Sequence, residues 1–240
     1  TRKKSYSSLI PCHSSLPYDK FHDECGVVGV YGHPEASNLA YLGLHALQHR
    51  GQEGAGICSS DGRHLYIEKS MGLVADIFTE KRLKRLPGTI AIGHNRYSTA
   101  GSSVLKNVQP IMVNFSLGSL AIAHNGNLVN ALELKKELES KGAIFQSTSD
   151  SEVIVHLIAN SNAGGFYERI IDALSKLYGA FSLLMMTENE LIAVRDHYGF
   201  RPLSIGKHDG AYVIASETCA FDLIGAAYSR DIEPGEMVII

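Results

Sequence analysis

The chain has 240 residues, enough for one sizeable core or two small domains, and its 45% hydrophobic and 20% charged content fits a folded globular protein. A net charge of −3 with no basic stripe argues against nucleic acid as a partner, and no apolar run approaches the ~20 residues a membrane-spanning helix needs. Four scattered cysteines, Cys12, Cys25, Cys58 and Cys219, show neither metal-ligand spacing nor disulfide-scaffold density; with the histidines equally dispersed, the expectation is a reducing cytoplasm and no metal in this chain.

Residues 1–24 are polar, serine-rich and basic at the start, with Pro11 and Pro17 interrupting any regular element and Leu9-Ile10 the longest apolar run, so this stretch is not expected to hold a secretory apolar segment. A disordered tail or a removable leader is expected there. Next, Cys25-Gly-Val-Val-Gly-Val-Tyr-Gly32 places a thiol at the mouth of a strand-like run thinned by glycines. On its own such a cysteine reads as a small core residue. Pro34-Glu35 opens a helix with Leu39, Leu42, Ala46 and Leu47 at helical spacing, stopped by Gly51, so that His49 and Arg50 complement the dipole of its last turn. Residues 54–58 and 65–69 read as strands paired across Asp61-Gly62, with Cys58 in the core, and a short charged helix follows at 79–85.

Residues 89–99 form a buried-strand run ending in polar groups, among them Arg96 and Thr99. Residues 118–128 form another, broken at Asn125-Gly126, after which Leu128, Leu132, Leu134 and Leu138 give a helix capped by Asn127. Ser149-Asp-Ser-Glu152 reads as a capping box, with Asp150 at the first helical position. A helix over 166–178 stopped by Gly179 and strands at 180–186, 191–195 and 212–216 complete the scaffold. Residues 232–240 look like a hairpin end that breaks off inside an apolar strand, so the natural chain is expected to continue. Strand-rich halves with long amphipathic helices suit an α+β fold of stacked sheets with helices outside.

Cys25-Gly-Val-Val-Gly-Val-Tyr-Gly-His-Pro-Glu-Ala-Ser37, His49-Arg-Gly-Gln-Glu-Gly-Ala-Gly56, Gly93-His-Asn-Arg-Tyr-Ser-Thr-Ala-Gly101 and His124-Asn-Gly-Asn-Leu128 occur in one order. Together they resemble the glutaminase domain of the amidophosphoribosyltransferase family, class II amidotransferases with an N-terminal nucleophile. The resemblance runs from Cys25 to the end of the chain and implies the four-layer αββα sandwich of Ntn hydrolases. It implies that Cys25 becomes residue one when a leader is cut off and attacks the side-chain amide of glutamine, with Asn125 and Gly126 holding the oxyanion. Arg96 would receive the α-carboxylate, Thr99 would add a hydrogen bond, Asp150 would accept the α-ammonium, and Arg50 would support the nucleophile. In this reading residues 25–240 are the glutaminase domain, and the phosphoribosyltransferase domain, with its phosphoribosyl pyrophosphate and Mg2+, is absent. The family also implies homo-oligomers and, in some relatives, an iron–sulfur cluster in the complete protein. The segment 195–203 holds His and Asp and could pass for a catalytic loop, but the family treats it as structural. Two rivals stay open: another class II amidotransferase, of hexosamine-phosphate or asparagine-forming type, and a non-enzymatic glutamine sensor.

Overall fold

The computed structural model describes residues 25–97 and 104–240, so the expectations for the leader and for Thr99 lie outside the described residues. In chain order the strands are β1 (Gly26–Tyr31), β2 (Gly54–Ser60), β3 (Leu65–Met71), β4 (Ile90–Arg96), β5 (Ile111–Phe115), β6 (Gly118–Leu128), β7 (Gly179–Met186), β8 (Leu191–Arg195), β9 (Ser204–His208), β10 (Ala211–Ala215), β11 (Ala227–Asp231) and β12 (Met237–Ile239). The helices are α1 (Ala36–Ala46), α2 (Val74–Ile77), α3 (Glu80–Leu83), α4 (Ala131–Ser140), α5 (Ser151–Asn160), α6 (Phe166–Leu174) and α7 (Cys219–Ile224). One antiparallel sheet has the order β11-β9-β10-β1-β4-β2-β3 and the other β12-β8-β7-β6-β5.

Side chains alternate along a strand, and the central strands β1, β4, β6 and β7 are buried on both faces over most of their length, which is why they read as apolar runs rather than alternating ones, whereas the edge strands β3, β5 and β11 are partly or fully exposed. Val28 and Val30 of β1 pack with Leu39, Leu44 and Leu47 from α1 and its end and with Phe221 of α7. Val27, on the opposite face, joins Ile92 of β4, Ala121 and Ala123 of β6, and Leu184 of β7 between the sheets. Leu120 and Ile122 of β6 and Leu183 of β7 face Ile154 and Ile158 of α5 and Ile170 of α6. The layers are therefore helix, sheet, sheet, helix, the αββα arrangement the resemblance implied. Each fully buried Leu or Ile contributes about 1.5–3 kcal/mol, so the three apolar slabs hold the layers in register.

Several local expectations are corrected. The strand does not break at Asn125-Gly126: β6 runs to Leu128 because β7 pairs with it rung by rung, from Ala121↔Met186 to Leu128↔Gly179. The helix after it starts at Ala131 behind Asn130, not Asn127, and Leu132 stays 68% exposed while Leu134 and Leu138 are buried. The helix at 166 ends at Leu174, short of Gly179, which opens β7. The end at 237–239 is no hairpin but an added strand on β8. His49 and Arg50 lie in a separate 3-10 turn (Gln48–Arg50) rather than the last turn of α1.

Candidate active site

Register and contacts place the nucleophile. The β1–β4 register Gly26↔Asn95 continued one rung brings Cys25 beside Arg96, and its sulfur rests against the backbone of the next residue, Tyr97. Arg96 shares its parity with Ile92 on the inner face of β4, and Asn125 shares its own with Ala121 and Ala123 on the inner face of β6. Cys25, Arg96 and Asn125 therefore converge on the gap between the sheets. Gly126 follows on the outer face of β6.

Arg50 fixes the main chain of Cys25 at both ends. Its carbonyl accepts the Cys25 N–H at 2.9 Å and its Nε donates to the Cys25 carbonyl at 2.6 Å. The guanidinium is 1% exposed and its NH1 pairs with the Glu217 carboxylate. Burial alone would raise the Glu217 carboxyl, but the Arg50 bond and charge, with His49 beside it, hold it below its ordinary value. Gly51 is required behind Arg50 because a Cβ there would stand 2.7 Å from the Arg96 carbonyl carbon. The Cys25 sulfur accepts the Tyr97 N–H at 3.5 Å and donates to the Tyr97 carbonyl at 3.4 Å. Cys25 itself has φ +58°, a left-handed conformation that costs a β-carbon residue about 1–3 kcal/mol.

Asn125 is completely buried, and its Nδ2 donates to Ser216 Oγ at 3.4 Å. The same hydroxyl accepts the Val27 N–H at 3.0 Å, so one serine ties the asparagine amide of one sheet to the strand that carries the cysteine in the other. A bond that long uses one of two amide protons weakly and leaves a donor for another oxygen. Gly126 has φ +156°, and a Cβ there would lie 2.0 Å from the Ala180 carbonyl oxygen of β7, so no side chain fits.

The guanidinium of Arg96, 4% exposed, donates to the Asn107 carbonyl at 2.8 Å and lies 4.0 Å from Glu53. Asn107 in turn exchanges bonds of 2.8 and 3.0 Å with Thr148, two residues before Asp150. Asp150 is the N-cap of α5 rather than its first residue. Its Oδ2 accepts the Leu128 N–H at 2.9 Å and its Oδ1 lies 3.8 Å from His124 Nδ1. The capping box is not formed: Ser149 Oγ takes the Ser151 N–H, and Glu152 reaches back to the Gln146 and Ser147 N–H groups. Two buried histidines close this end. His94 Nε2 donates to the His124 carbonyl at 3.1 Å, and His124 Nδ1 pairs with Ser151 Oγ at 2.9 Å. Burial, with the Arg96 charge, pushes His94 down to about 3, and burial lowers His124 against the opposing charge of Asp150.

The sequence singled out Cys25, Arg96, Asn125, Gly126, Asp150 and Arg50 but not the residues that hold them: Asn107, Thr148, His124, Ser216, Glu217 and Tyr97. Only fold-level register joins these to the motifs, although His124 and Tyr97 each stand inside one of them. Cys58 is sealed between the sheets, its thiol pushed up to about 12 by burial, so it takes no part. In the segment 195–203, Asp196 accepts the Phe181, Tyr198 and Arg201 N–H groups, a structural use. A groove of roughly 470 Å³ lined by Ile171, Tyr178, Val194, Tyr198 and Met237 includes none of the site residues.

Residues 94–222 match the family model described as a glutamine amidotransferase domain. Amidophosphoribosyltransferase 3, chloroplastic, of Arabidopsis thaliana is 58% identical over 241 residues, covering 97% of this chain and 45% of that protein. Among solved structures, glutamine phosphoribosylpyrophosphate amidotransferase from B. subtilis, complexed with ADP and GMP, superposes with TM-score 0.86 at 52% identity over 90% of this chain and 47% of its own. A second, titled as the allosteric regulatory enzyme of purine biosynthesis, gives TM-score 0.87 at 53% identity over the same shares. The chain spans about half the length of the relatives it matches. With the family model covering more than half of its residues, the chain belongs to the glutamine amidotransferase domain family.

Proposed function

We propose that this domain releases ammonia from glutamine through a γ-glutamyl thioester on Cys25, and that in the complete protein the ammonia reacts with phosphoribosyl pyrophosphate to give phosphoribosylamine for purine synthesis. The observation that carries it is the placement of Cys25, Arg96 and Asn125 on facing inner surfaces at one end of the sandwich, with Arg50 clamping the Cys25 backbone. Cleavage of the bond before Cys25 frees an α-amine with a pKa of about 8, suited to collecting the thiol proton. The φ of +58° supports that step, because the torsion is defined by the preceding carbonyl and its strain vanishes when that bond is cut.

The thiolate attacks the side-chain carbonyl carbon, and the oxyanion takes the Asn125 amide and the Gly126 N–H. Collapse expels ammonia with the proton held by the amine, and water then hydrolyses the thioester to glutamate. Arg96 pairs with the α-carboxylate, Asp150 accepts the α-ammonium and Thr99 adds a hydrogen bond, so an amide lacking either charged end leaves a buried charge unpaired. Arg50 positions the nucleophile. Residues 1–24 act as the leader and 25–240 as the glutaminase domain. Phosphoribosyl pyrophosphate and Mg2+ belong to the half that the relatives have beyond this length, and the complete enzyme is a homo-oligomer.

Among the described residues no helix is long and apolar enough to cross a membrane. The sequence suggests the cytoplasm, and the Arabidopsis relative, named chloroplastic, adds the plastid interior as the other reducing compartment. The test pairs mass spectrometry of the N-terminus with assay of glutamate and ammonia. The expected result is a chain beginning at Cys25 that hydrolyses glutamine slowly, with Cys25→Ala inactive yet still binding glutamine. A retained leader with undiminished hydrolysis overturns the role of the amine.

A further inference from the structure

Three side chains outside the glutamine site meet where the turn after α1 faces the start of α7. Glu217 divides its carboxylate between two jobs: Oε1 takes the buried Arg50 guanidinium, while Oε2 faces His49 Nε2 at 3.2 Å and Cys219 Sγ at 3.6 Å. His49 Nδ1 lies 3.1 Å from the Ala46 carbonyl, which can only accept. In the neutral ring Nδ1 therefore carries the proton, and Nε2 turns its lone pair toward the carboxylate. That lone pair and the carboxylate oxygen, 3.2 Å apart, can share a cation, a proton or a metal ion alike. A backbone carbonyl on the far nitrogen is also the usual outer partner of a metal-bound histidine.

The two spacings made by the carboxylate oxygen fit a tetrahedral ion. Nitrogen and oxygen about 2.0 Å from zinc stand about 3.3 Å apart, and oxygen and sulfur, with sulfur about 2.3 Å from the metal, about 3.5 Å. All three donor atoms here lie within 4.8 Å of one another. The His49 side chain is 53% exposed and that of Glu217 29%, which leaves an entry path and an open fourth position. Since 168 residues separate His49 from Glu217, no ligand spacing in the sequence announces the group, and the expectation of a metal-free chain had no access to it.

We propose that His49 Nε2, Glu217 Oε2 and Cys219 Sγ form a site for one zinc-class divalent ion, with water in the fourth position and Arg50 holding the other carboxylate oxygen. Binding deprotonates the Cys219 thiol, and the proton passes to solvent. The site is separate from the glutamine pocket, joined to it by Arg50, which clamps the Cys25 carbonyl.

The test uses the chain carrying Cys25→Ala, which removes the nucleophilic thiol as a competing ligand. Stripped with chelator, this protein is titrated with Zn2+ by calorimetry and with Co2+ by optical spectroscopy. One equivalent of Zn2+ and a near-ultraviolet thiolate-to-cobalt charge-transfer band are expected. Adding Cys219→Ser should abolish the band, and adding either Cys219→Ser or His49→Gln should weaken Zn2+ binding on the order of 100-fold, at the upper end of what even an outer-shell loss costs. Absence of Zn2+ binding, absence of the cobalt band in the Cys25→Ala protein, or affinity unchanged by Cys219→Ser overturns the site. The cobalt measurement on the Cys25→Ala protein does not depend on how the further variants fold.

Discussion

Replacing Asn125 with alanine should separate its chemical role from its packing role. The amide bonds weakly to Ser216 in the ground state, so its removal costs little binding, whereas losing one oxyanion donor lowers kcat about 100-fold or more. Steady-state kinetics should therefore show kcat falling with KM for glutamine nearly constant. Arg96→Gln should act oppositely. If Arg96 receives the α-carboxylate as proposed, the change removes the partner of a buried charge, worth at least about 2 kcal/mol, so KM should rise about 30-fold or more while binding of amides without an α-carboxylate is unaltered. Gly126→Ala tests the backbone itself: with a Cβ 2.0 Å from the Ala180 oxygen the two strands must part, and a urea midpoint should report a loss of at least about 2 kcal/mol.

At the scale of elements, β4 and β6 are tied across the sandwich by His94 donating to the His124 carbonyl, and both rings stay neutral inside. The folded pKa of His94 is depressed to about 3, while the unfolded chain titrates near the ordinary value of about 6.5. Between those values the unfolded state binds the extra proton, so stability is present above about 6.5 and falls as pH drops toward 3. For His94 alone the loss from pH 7 to pH 5 is about 2 kcal/mol, and His124 adds in the same direction. His94→Phe should flatten that part of the profile in urea titrations at the two pH values; an unchanged slope would show that the ring is not the titrating group. These elements also show what the sequence made legible. The central strands followed from apolar runs buried on both faces, whereas β5, β9 and the exposed β11 were not expected, and Cys25, Arg96 and Asn125 stood out within motifs. The end of β6 did not, because Asn-Gly carries a strong local turn signal that eight rungs of pairing to β7 override. Likewise Ser149 and Glu152 have capping-box spacing, but Glu152 is taken by the loop before the helix. The Arg50–Glu217 and Asn107–Thr148 links join distant segments, and no local period encodes them.

For the whole molecule, the candidate site belongs to neither sheet, since Cys25 and Arg96 come from one and Asn125 from the other, and the apolar slab between them sets their separation. Leu183 and Leu184 are adjacent on β7 and both fully buried, yet they face opposite ways. Leu183 lies in the layer under α5 and Leu184 in the slab between the sheets. Truncating either to alanine should cost about 2–5 kcal/mol through lost burial and the cavity left behind. Only Leu184→Ala lets the sheets settle toward each other and shifts the Asn125 amide relative to the Cys25 sulfur, and a displacement near 1 Å can cost up to about 100-fold in rate. Assayed where both variants remain folded, Leu184→Ala should lose about tenfold or more in kcat while Leu183→Ala stays within about twofold. Equal kcat losses at equal destabilisation would mean that sheet spacing does not set the catalytic geometry, and the site would then have to be explained from β1 and β4 alone.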